Sequence, residues 1–354
     1  MNRQETQIPV ANIYFMLAYA WDIPPTWEKR RVDQSDYDNL WELLAQLLIL
    51  SVEGIFKRGL ARDYVLQEEQ ISGVKGRPDI GKTYRTFAWQ HAKTVCRFDE
   101  FQPDIRINQG IKATMYRMLR STGINFRGKT RLGLRHMYQR FGEITLVEAN
   151  IEQYLYSVRL QRHQLHYHFP VEICKFILSN TVFNENRGKF EFMDFERDHA
   201  KMSALFEKFV YNYFKHHLTG WNVKRENIRW SVEPGSIGAQ YLPEMKTDIT
   251  LEKPDRKMVI DTKFYTEPMK SRYVGSTEKY TAANLYQLNA YLTHLAQSTS
   301  HPCNAAAEGM LLYPVLQPLP PFDGIMLGHR IRVASIDLNQ EWQVIGAALE
   351  RLAD

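Results

Sequence analysis

The C-terminal part of the chain has the most regular pattern of apolar and polar positions. From about residue 196, apolar side chains recur at helical spacing until Gly220, a residue typical of a helix end. The next segments predict, in order, a strand (IRWSVEP), a β-hairpin, a helix (TAANLYQLNAYLTHL), two strands (GMLLYPV and RIRVASIDL) and a last helix (NQEWQVIGAALERL). This order predicts an α/β domain over residues 196–354, with a mixed sheet flanked by helices.

The first part of the chain, residues 1–195, is less regular and predicts a mixed α+β region. Helices are predicted for NIYFMLAYAW, with Asn12 as N-cap, for the leucine-rich segment that ends at Gly59, and for IKATMYRML. Weak alternation between Tyr64 and Asp104 predicts short strands, and HYHFPVEICKFILSN is expected to begin as a strand or loop. A domain boundary is therefore expected near residue 195.

Composition and charge narrow the class of protein. Of 354 residues, 44% are hydrophobic and 24% are charged, which is typical of a folded globular protein. The formal net charge of +5 is compatible with a polyanionic partner but does not require one. The three cysteines are widely separated, so neither a zinc ribbon nor a disulfide framework is expected. No segment resembles a signal peptide or approaches the ~20 apolar residues of a membrane span, so a cytoplasmic protein without membrane contact is expected.

The hairpin segment KTDITLEKPDRKMVIDTKFY, residues 246–265, carries charged residues inside its predicted strands. Asp261 and Lys263 are two residues apart and share one face of the second strand, and Asp248 on the first strand can lie beside Asp261. Adjacent carboxylates repel each other unless a cation lies between them, and Mg²⁺ or Mn²⁺ suits such oxygen ligands. Lys263 would then help to activate water or stabilise charge on a phosphate. The group therefore predicts hydrolysis of phosphodiesters.

A solvated hairpin without a catalytic role is the alternative interpretation. Asp-x-Lys pairs arise by chance, and spacing alone slightly favours this alternative. The neighbouring Val259, Ile260 and Phe264 instead favour a central strand, where a charge needs a specific reason.

The helix after the hairpin carries Gln287 and Tyr291, which are four residues apart and share a face. Gln-x-x-x-Tyr after an acid-x-Lys strand, in the order helix, three strands, helix, strand, resembles the PD-(D/E)xK nucleases, especially the branch related to recombination nucleases. The resemblance implies a restriction-endonuclease-like fold and a supporting or DNA-contacting role for Gln287 and Tyr291. The proline that precedes the first acid in this pattern is absent before Asp248, although Pro243 is nearby.

The same resemblance assigns roles to the charged residues of the hairpin. It implies Asp248 and Asp261 as metal ligands, the backbone carbonyl of Thr262 as a third ligand, and Lys263 as the catalytic lysine. Glu207, on the preceding helix, has two interpretations. It is either an additional metal ligand or, as the sequence favours, a solvated helix residue.

Motifs along nearly the whole chain are similar, in the same order, to the McrC family, the nuclease subunits of McrBC modified-cytosine-dependent restriction systems. They are IPVANIYFMLAYAW, KTVCRFDEF, VEICKFILSN, FMDFERD, TDITL, IDTKFY, GSTEKY, NLYQLNAYL and DLNQEW. The resemblance implies that residues 1–195 dock into a ring of an McrB-type AAA+ GTPase and stimulate it, while residues 196–354 cut double-stranded DNA. It also implies that the partner, and not this chain, uses GTP and recognises modified cytosine.

A P-loop pattern suggests a different function. GRPDIGKT, residues 76–83, would make the chain an NTPase that binds nucleotide through Lys82 and Thr83. The residues before it are too polar for a central parallel strand, and YRTFAWQH after it has no clear helical stripe, so this function is not favoured. The aromatic and arginine residues of YRTFAWQH suit an interaction surface or an ordinary amphipathic surface equally well.

Two further alternatives remain open. The histidines at positions 163, 166 and 168 suggest a metal site, but no nearby acid or cysteine completes one, so a packed histidine cluster is favoured. The chain is also compatible with a noncatalytic adaptor of an AAA+ ring. The presence of Asp248, Asp261 and Lys263 together argues against that role.

Overall fold

The computed structural model describes residues 8–23, 37, 39–122, 124–184, 189–264, 269–270, 278–315 and 319–354. The chain forms two compact units. The insert unit comprises residues 37–193, and the sheet unit combines the N-terminal segment before it with residues 194–354. The division after Met193 lies close to the boundary predicted near residue 195. The N-terminal helix, however, belongs to the sheet unit and not to the insert unit that follows it in sequence.

Both units contain helices and strands. The sheet unit begins with helix α1 (Val10–Ala20). The insert unit contributes α2 (Leu40–Arg58), β1 (Asp63–Ile71), β2 (Arg77–Pro78), α3 (Ile80–Arg85), β3 (Thr94–Gln102), α4 (Arg106–Arg120), β4 (Ser121–Thr122), α5 (Gly128–Arg140), α6 (Ile151–Tyr156), α7 (His168–Ser179), β5 (Thr181–Asn184) and β6 (Lys189–Phe192). The sheet unit continues with α8 (His199–His217), β7 (Asn222–Lys224), β8 (Asn227–Ile228), β9 (Met245–Lys246), β10 (Ile249–Glu252), β11 (Lys257–Thr262), β12 (Met269–Lys270), β13 (Lys279–Tyr280), α9 (Ala282–Ala296), β14 (Glu308–Val315), β15 (Phe322–Met326), β16 (His329–Asp337) and α10 (Trp342–Leu352).

Helix α2 forms as its apolar stripe predicts. Asn39 caps the N-terminus by accepting a hydrogen bond from the Glu42 amide at 2.8 Å, and Gly59 ends the helix with a φ of 90°. Its leucine-rich stripe is buried, and the helix packs against α5 and α7. The buried stripe of α2 therefore forms much of the core of the insert unit.

Two of the three strands in the region predicted to hold short strands, β1 and β3, are longer than predicted. Strands β1 and β3 have nine residues each and pair in antiparallel register from Asp63 opposite Gln102 to Ile71 opposite Thr94. Most positions of β1 are exposed, so polar side chains occupy both faces and the alternation is weak. Weak alternation thus reflects an exposed strand and not a short one.

The segment HYHFPVEICKFILSN is helical from its start, and the prediction of a strand or loop there is wrong. A 3-10 turn covers Arg162–Tyr167, and α7 follows directly from His168. Pro170 lies in the first turn of α7, where a missing N–H breaks no helical hydrogen bond. The proline therefore marks the beginning of the helix.

A six-stranded sheet of order β15-β16-β14-β11-β10-β7 forms the centre of the sheet unit. Strands β10 and β11 form the predicted antiparallel hairpin, and β11, β14 and β16 are parallel to one another. Strand β11 is buried at all six positions, and helices α8, α9 and α10 pack on the sheet. This arrangement confirms the predicted mixed sheet flanked by helices.

The strands at and beyond the sheet edges differ from the prediction. Of IRWSVEP, only Ile228 belongs to a strand, the two-residue β8, which pairs with β9 outside the six-stranded sheet. The places at the two edges belong to β7 and β15, which pair with β10 and β16. A short edge strand carries too little alternation to be predicted from its pattern. Tyr265, predicted to end the hairpin, and the start of the GSTEKY motif lie outside the described residues.

Aromatic side chains pack α1 against α8. The Phe15 ring lies 5.6 Å from the Phe209 ring and 4.9 Å from the Trp342 ring, measured between centroids. The Tyr19 hydroxyl lies 2.7 Å from Nε2 of His217. Although α1 is apolar, no helix within the described ranges combines the length and apolarity that a membrane crossing needs. Its apolar residues are instead part of the core of the sheet unit.

Asn12 is not the N-cap of α1, contrary to the prediction. Pro9 occupies that position, and Asn12 is buried inside the helix. Its amide donates hydrogen bonds to the carbonyls of Leu338 and Gln340, each at 2.8 Å. Asn12 therefore ties α1 to the segment that leads from β16 to α10.

Replacing Phe15 with alanine is expected to destabilise the sheet unit by about 3–5 kcal/mol, because it removes a buried ring that contacts two other aromatic rings. Urea unfolding of the full chain measures this change. Tyr286→Ala, which removes an aromatic ring that is 72% exposed on α9, is the matched control and is expected to cost under about 0.5 kcal/mol. Equal effects of the two variants would contradict the packing of α1 in this core.

Candidate active site

Strand pairing brings the two predicted acids to one end of the hairpin. Ile249 pairs with Ile260 in the antiparallel ladder, so the next step places Asp248 opposite Asp261. Asp248 comes directly before β10, and Asp261 is the penultimate residue of β11. The charged residues therefore lie at the open end of the hairpin, away from its turn at residues 253–256, and not in the middle of the strands.

The Asp248 carboxylate is held by the facing strand. Its Oδ2 accepts hydrogen bonds from the backbone N–H of Thr262 at 2.8 Å and from the Thr262 hydroxyl at 2.9 Å. Arg225 Nε donates to the main-chain carbonyl of Asp248 at 3.4 Å. These contacts fix the carboxylate beside the end of β11. The predicted role of the Thr262 carbonyl as a metal ligand stays a prediction.

Asp261 is a buried carboxyl group, with 1% of the residue exposed. Its Oδ2 lies 2.8 Å from Nζ of Lys263, which places the two side chains on the same side of the strand, as the alternation predicts. Burial raises the pKa of Asp261 to about 6, while the Lys263 ammonium lowers this pKa and the negative charges of Asp248 and Glu207 raise it. The raised pKa therefore comes mainly from burial, which disfavours the charged form of this carboxyl unless a cation compensates the charge.

A chain of hydrogen bonds orients Lys263. Its Nζ donates to Oε1 of Gln287 at 3.0 Å, and Nε2 of Gln287 donates to the hydroxyl of Tyr291 at 2.7 Å. The Tyr291 hydroxyl donates to the main-chain carbonyl of Lys246 at 3.2 Å. The structure thus brings Gln287 and Tyr291 together with the lysine, and their predicted contact with DNA stays a prediction.

Glu207 faces the same region from α8. Its side chain is half-buried, and its carboxylate pairs with Arg225 at 2.8 Å. Burial raises the pKa of Glu207, and the charge of Asp248 raises it further. The preference for a fully solvated residue does not describe this position. Helical spacing places Glu207 at the border of the buried stripe, and only the packing of α8 on β11 brings it towards Asp248.

The residues of this site fit a hard divalent cation that also has ligands from outside the protein. Mg²⁺ commonly takes one or two carboxylates and completes its shell with waters and substrate phosphates. Asp248 and Asp261 supply two carboxylates, and Oδ2 of Asp261 is a buried acceptor to which no well-aligned hydrogen bond is donated within the described residues. In that same part of the chain, no group of three or more His, Cys, Asp or Glu side chains is arranged to hold a metal by itself. Glu207 therefore does not complete a three-acid site with the two aspartates.

Lys82 and Thr83 of the P-loop-like segment make contacts within the insert unit. Lys82 pairs with Glu68, and the Thr83 hydroxyl accepts a hydrogen bond from the Val95 amide at 2.9 Å. The segment leaves the two-residue strand β2 and enters the six-residue helix α3, whose first turn is capped by Asp79. A short helix does form, contrary to expectation, but it begins at Ile80, inside the motif. The long buried strand that a phosphate-binding loop requires is missing from the described segment before it.

His166 and His168 lie in the segment that is predicted to begin as a strand or loop and is helical instead. His166 lies in the 3-10 turn and His168 begins α7, so the two do not share a strand face. The His166 ring lies 4.8 Å from the Tyr167 ring, and burial lowers the pKa of His166. These histidines belong to no metal-holding group among the described residues.

A six-stranded mixed sheet, with one aspartate before a strand and Asp-x-Lys at the end of its neighbour, defines a restriction-endonuclease-like fold. The chain belongs to the family described as McrBC 5-methylcytosine restriction system component, whose model matches residues 2–314. It is 32% identical over 354 residues to the type IV methyl-directed restriction enzyme EcoKMcrBC of Escherichia coli K12, and the match covers 99% of each chain. Its fold is similar, with a TM-score of 0.55 and 18% identity over 99% of this chain and 78% of the other, to a half-complex of a tetradecameric assembly of Thermococcus gammatolerans McrB AAA+ hexamers with bound McrC.

Asp261→Asn is expected to stabilise the metal-free protein at pH 8. The pKa of Asp261 is raised in the folded state, so ionising this carboxyl lowers stability as the pH rises from the unfolded value of 3.8 to about 6, and the full cost remains above pH 6. The shift corresponds to at most about 3 kcal/mol. Urea unfolding in EDTA should therefore show a gain of about 1–3 kcal/mol at pH 8 and under about 1 kcal/mol at pH 4.5.

Asp255→Asn is the control for this measurement, because Asp255 is exposed in the turn of the same hairpin. It is expected to change stability by under about 0.5 kcal/mol at either pH. A loss of stability in the Asp261→Asn variant at pH 8 would show that the ion pair with Lys263 outweighs the cost of burial.

Proposed function

We propose that this chain is the endonuclease subunit of a methylcytosine-directed restriction complex and hydrolyses DNA phosphodiesters with Mg²⁺. The observation that carries the proposal is the meeting of Asp248, Asp261 and Lys263 at one end of the hairpin, with the carboxyl of Asp261 buried. Family membership supports a role in restriction. The name of the Escherichia coli relative supports a restriction enzyme that is directed by methylation.

Asp248 and Asp261 would hold the metal, with the Thr262 carbonyl as a third protein ligand. When bound, a divalent cation polarises a phosphodiester and lowers the pKa of a coordinated water. Mg²⁺ is proposed before Mn²⁺ because the ligands are oxygen atoms and few of them come from the protein. A fixed carboxylate pair also limits where a scissile phosphate can bind.

Lys263 is proposed to act on the reacting phosphate and water. Its ammonium lies 2.8 Å from Asp261, where it can stabilise negative charge that develops on the phosphate or orient a water for attack. The side-chain carbonyl oxygen of Gln287 accepts a hydrogen bond from this ammonium. The Tyr291 hydroxyl donates a hydrogen bond to the carbonyl of Lys246 and accepts one from the Gln287 amide, which fixes the orientation of that amide. Gln287 and Tyr291 therefore position the lysine.

The partner in this proposal is an McrB-type AAA+ GTPase ring, which uses the GTP and recognises the modified cytosine in double-stranded DNA. The support is the structure of McrB AAA+ hexamers with bound McrC, which has a similar fold over 99% of this chain. Cleavage would take place in the cytoplasm, where such DNA is present. The insert unit is proposed to dock to the ring and to stimulate its GTPase.

Exposed aromatic residues between β2 and β3 support docking by the insert unit. Tyr84, Phe87 and Trp89 are 63%, 59% and 51% exposed. Phe87 has a φ of 54°, a left-handed backbone conformation that is rare for a bulky side chain. Strained residues with exposed apolar side chains are common at binding sites. These three residues are therefore the proposed contact with the partner.

Alanine at Asp248, Asp261 or Lys263 is expected to lower cleavage of methylated DNA by on the order of 100-fold or more, because each removes a charge from the reacting centre. The assay contains the partner, GTP and Mg²⁺, and EDTA should abolish cleavage. GTPase stimulation should persist in all three variants.

Asp255→Ala, at the other end of the same hairpin, is the matched control and should cleave normally. Cleavage that survives in both Asp261→Ala and Lys263→Ala would refute the nuclease assignment. It would leave the noncatalytic adaptor as the better description of the chain.

Trp89→Ser is expected to raise at least tenfold the concentration of this chain that gives half-maximal stimulation of the partner GTPase. Truncating a central aromatic contact commonly costs about 2 kcal/mol or more of binding energy. Leu165→Ser, which replaces an apolar side chain that is 64% exposed elsewhere in the insert unit, is the control. Equal stimulation by both variants would show that Trp89 is not part of the docking surface.

A further inference from the structure

One segment of the insert unit has a strongly one-sided charge. Residues 105–142 contain nine lysines and arginines and no aspartate or glutamate. Removing these nine charges from the formal net charge of +5 leaves −4 for the rest of the chain. The segment contains α4 and α5, and the two helices use their cations differently.

Helix α4 uses cations inside the unit. The buried ammonium of Lys112 donates hydrogen bonds to the carbonyls of Phe141, at 2.8 Å, and Ile144. Arg117 donates to the carbonyl of Glu148 at 3.3 Å. These two cations satisfy backbone groups that follow α5, and their role is structural.

Helix α5 packs by its inner face against α2. Its buried residues share one side of the helix: Thr130, Leu134 and Met137. The Thr130 hydroxyl donates to the buried carboxylate of Glu42. Gly133 lies so close to Ile49 that a Cβ atom would come within 2.9 Å of its side chain. The close packing of this face fixes the opposite face towards solvent.

The outer face of α5 carries cations that pair with no acid in the described part of the chain. Lys129, Arg131 and Arg135 are exposed and form no ion pair with an acid among the residues that the structure describes. Arg131 and Arg135 are one turn apart, about 6 Å along the helix axis. Arg140 is exposed at the end of the same helix, with its guanidinium 4.0 Å from the centre of the Phe56 ring. At about 100° per residue, Lys129 and Arg131 lie on opposite flanks of the exposed side of α5, and Arg135 lies between them. The three cations therefore span the exposed side of a rigid helix.

We propose that the outer face of α5, defined by Lys129, Arg131 and Arg135, binds the phosphate backbone of double-stranded DNA. Lysine and arginine side chains on a fixed scaffold neutralise phosphates without reading the sequence. The choice of DNA among polyanions rests on the proposed function of the sheet unit. An anionic membrane would require a broad apolar face, and in α5, all of which is described, Leu132 is the single large apolar side chain that is exposed. The insert unit thus holds DNA in addition to docking the partner.

The test measures binding of the full chain to a fluorescein-labelled duplex of about 30 base pairs by fluorescence anisotropy, in EDTA, between roughly 50 and 200 mM salt. The test variant is Lys129→Gln/Arg131→Gln/Arg135→Gln. Its affinity is expected to fall at least tenfold, and the slope of log affinity against log salt should become shallower by up to about 2.7, at roughly 0.9 for each phosphate contact. The control variant Arg62→Gln/Lys93→Gln/Lys189→Gln removes three exposed cations elsewhere in the insert unit and should bind within twofold of the unchanged chain.

Several results would overturn this inference. They are equal affinity and slope in the two triple variants, no salt-dependent binding by the unchanged chain, or loss of GTPase stimulation by the α5 variant while its DNA binding is kept. The last result would assign the face to an acidic surface of the partner. Circular dichroism and melting temperature should match those of the unchanged chain, because the substituted side chains are exposed.

The inference and the proposed nuclease function can fail separately. Asp261→Ala should bind the duplex in EDTA at least as tightly as the unchanged chain, because it removes a negative charge from the proposed phosphate site, while losing cleavage in the complete assay. If Asp261→Ala cleaves normally but the α5 variant loses binding, the DNA-holding face stands and the active site is elsewhere. If the α5 variant binds normally and Asp261→Ala does not cleave, the proposed active site is supported and the DNA-binding role of α5 is refuted.

Discussion

The site depends on a carboxyl group that the fold buries at the end of a central strand. Strand β11 lies between β10 and β14, and Asp261 near its end is 1% exposed. Because β10 pairs with β11 in a fixed register, Asp248 must lie opposite Asp261. Two neighbouring carboxylates that are partly shielded from water repel each other, and a cation between them compensates their charge. The contacts of Lys263 and the proposed metal both follow from that constraint.

At the other end of the same hairpin, a buried charge is neutralised by ion pairs and has no proposed catalytic role. Lys257 is 1% exposed, and its ammonium lies 2.9 Å from Glu226 and 3.2 Å from Glu252. Lys224 adds a second cation to the Glu252 carboxylate at 2.9 Å. Charges at the turn are thus balanced within the protein. At the open end, by contrast, the pKa of Asp261 stays raised although Lys263 is beside it. A perturbed pKa is typical of a functional site, so the open end is the candidate active site and the turn end is a structural ion network.

Local pattern predicts the elements whose burial is one-sided or complete. Helix α2 has a leucine stripe between a capping asparagine and Gly59, and α9, β11 and β14 are long apolar or periodic runs. Elements at the margins escape prediction, because β7 and β15 are short edge strands with little alternation. Helix α1 is predicted close to the correct residues, but it packs in the sheet unit and not in the N-terminal region to which the sequence assigned it. Its residues are buried around nearly the whole helix, so its pattern indicates no particular packing partner.

The sequence by itself determined which side chains share a strand or helix face. The spacing of Asp261 and Lys263, and of Gln287 and Tyr291, follows from the periods of strand and helix. Only the tertiary structure decided that α9 brings Gln287 to within 3.0 Å of Lys263, and that Glu207 and Arg225 lie near Asp248. It also decided that Asp261 is buried deeply enough to raise its pKa. Periodicity fixes direction within one element, whereas distance and desolvation depend on elements far apart in sequence packing together.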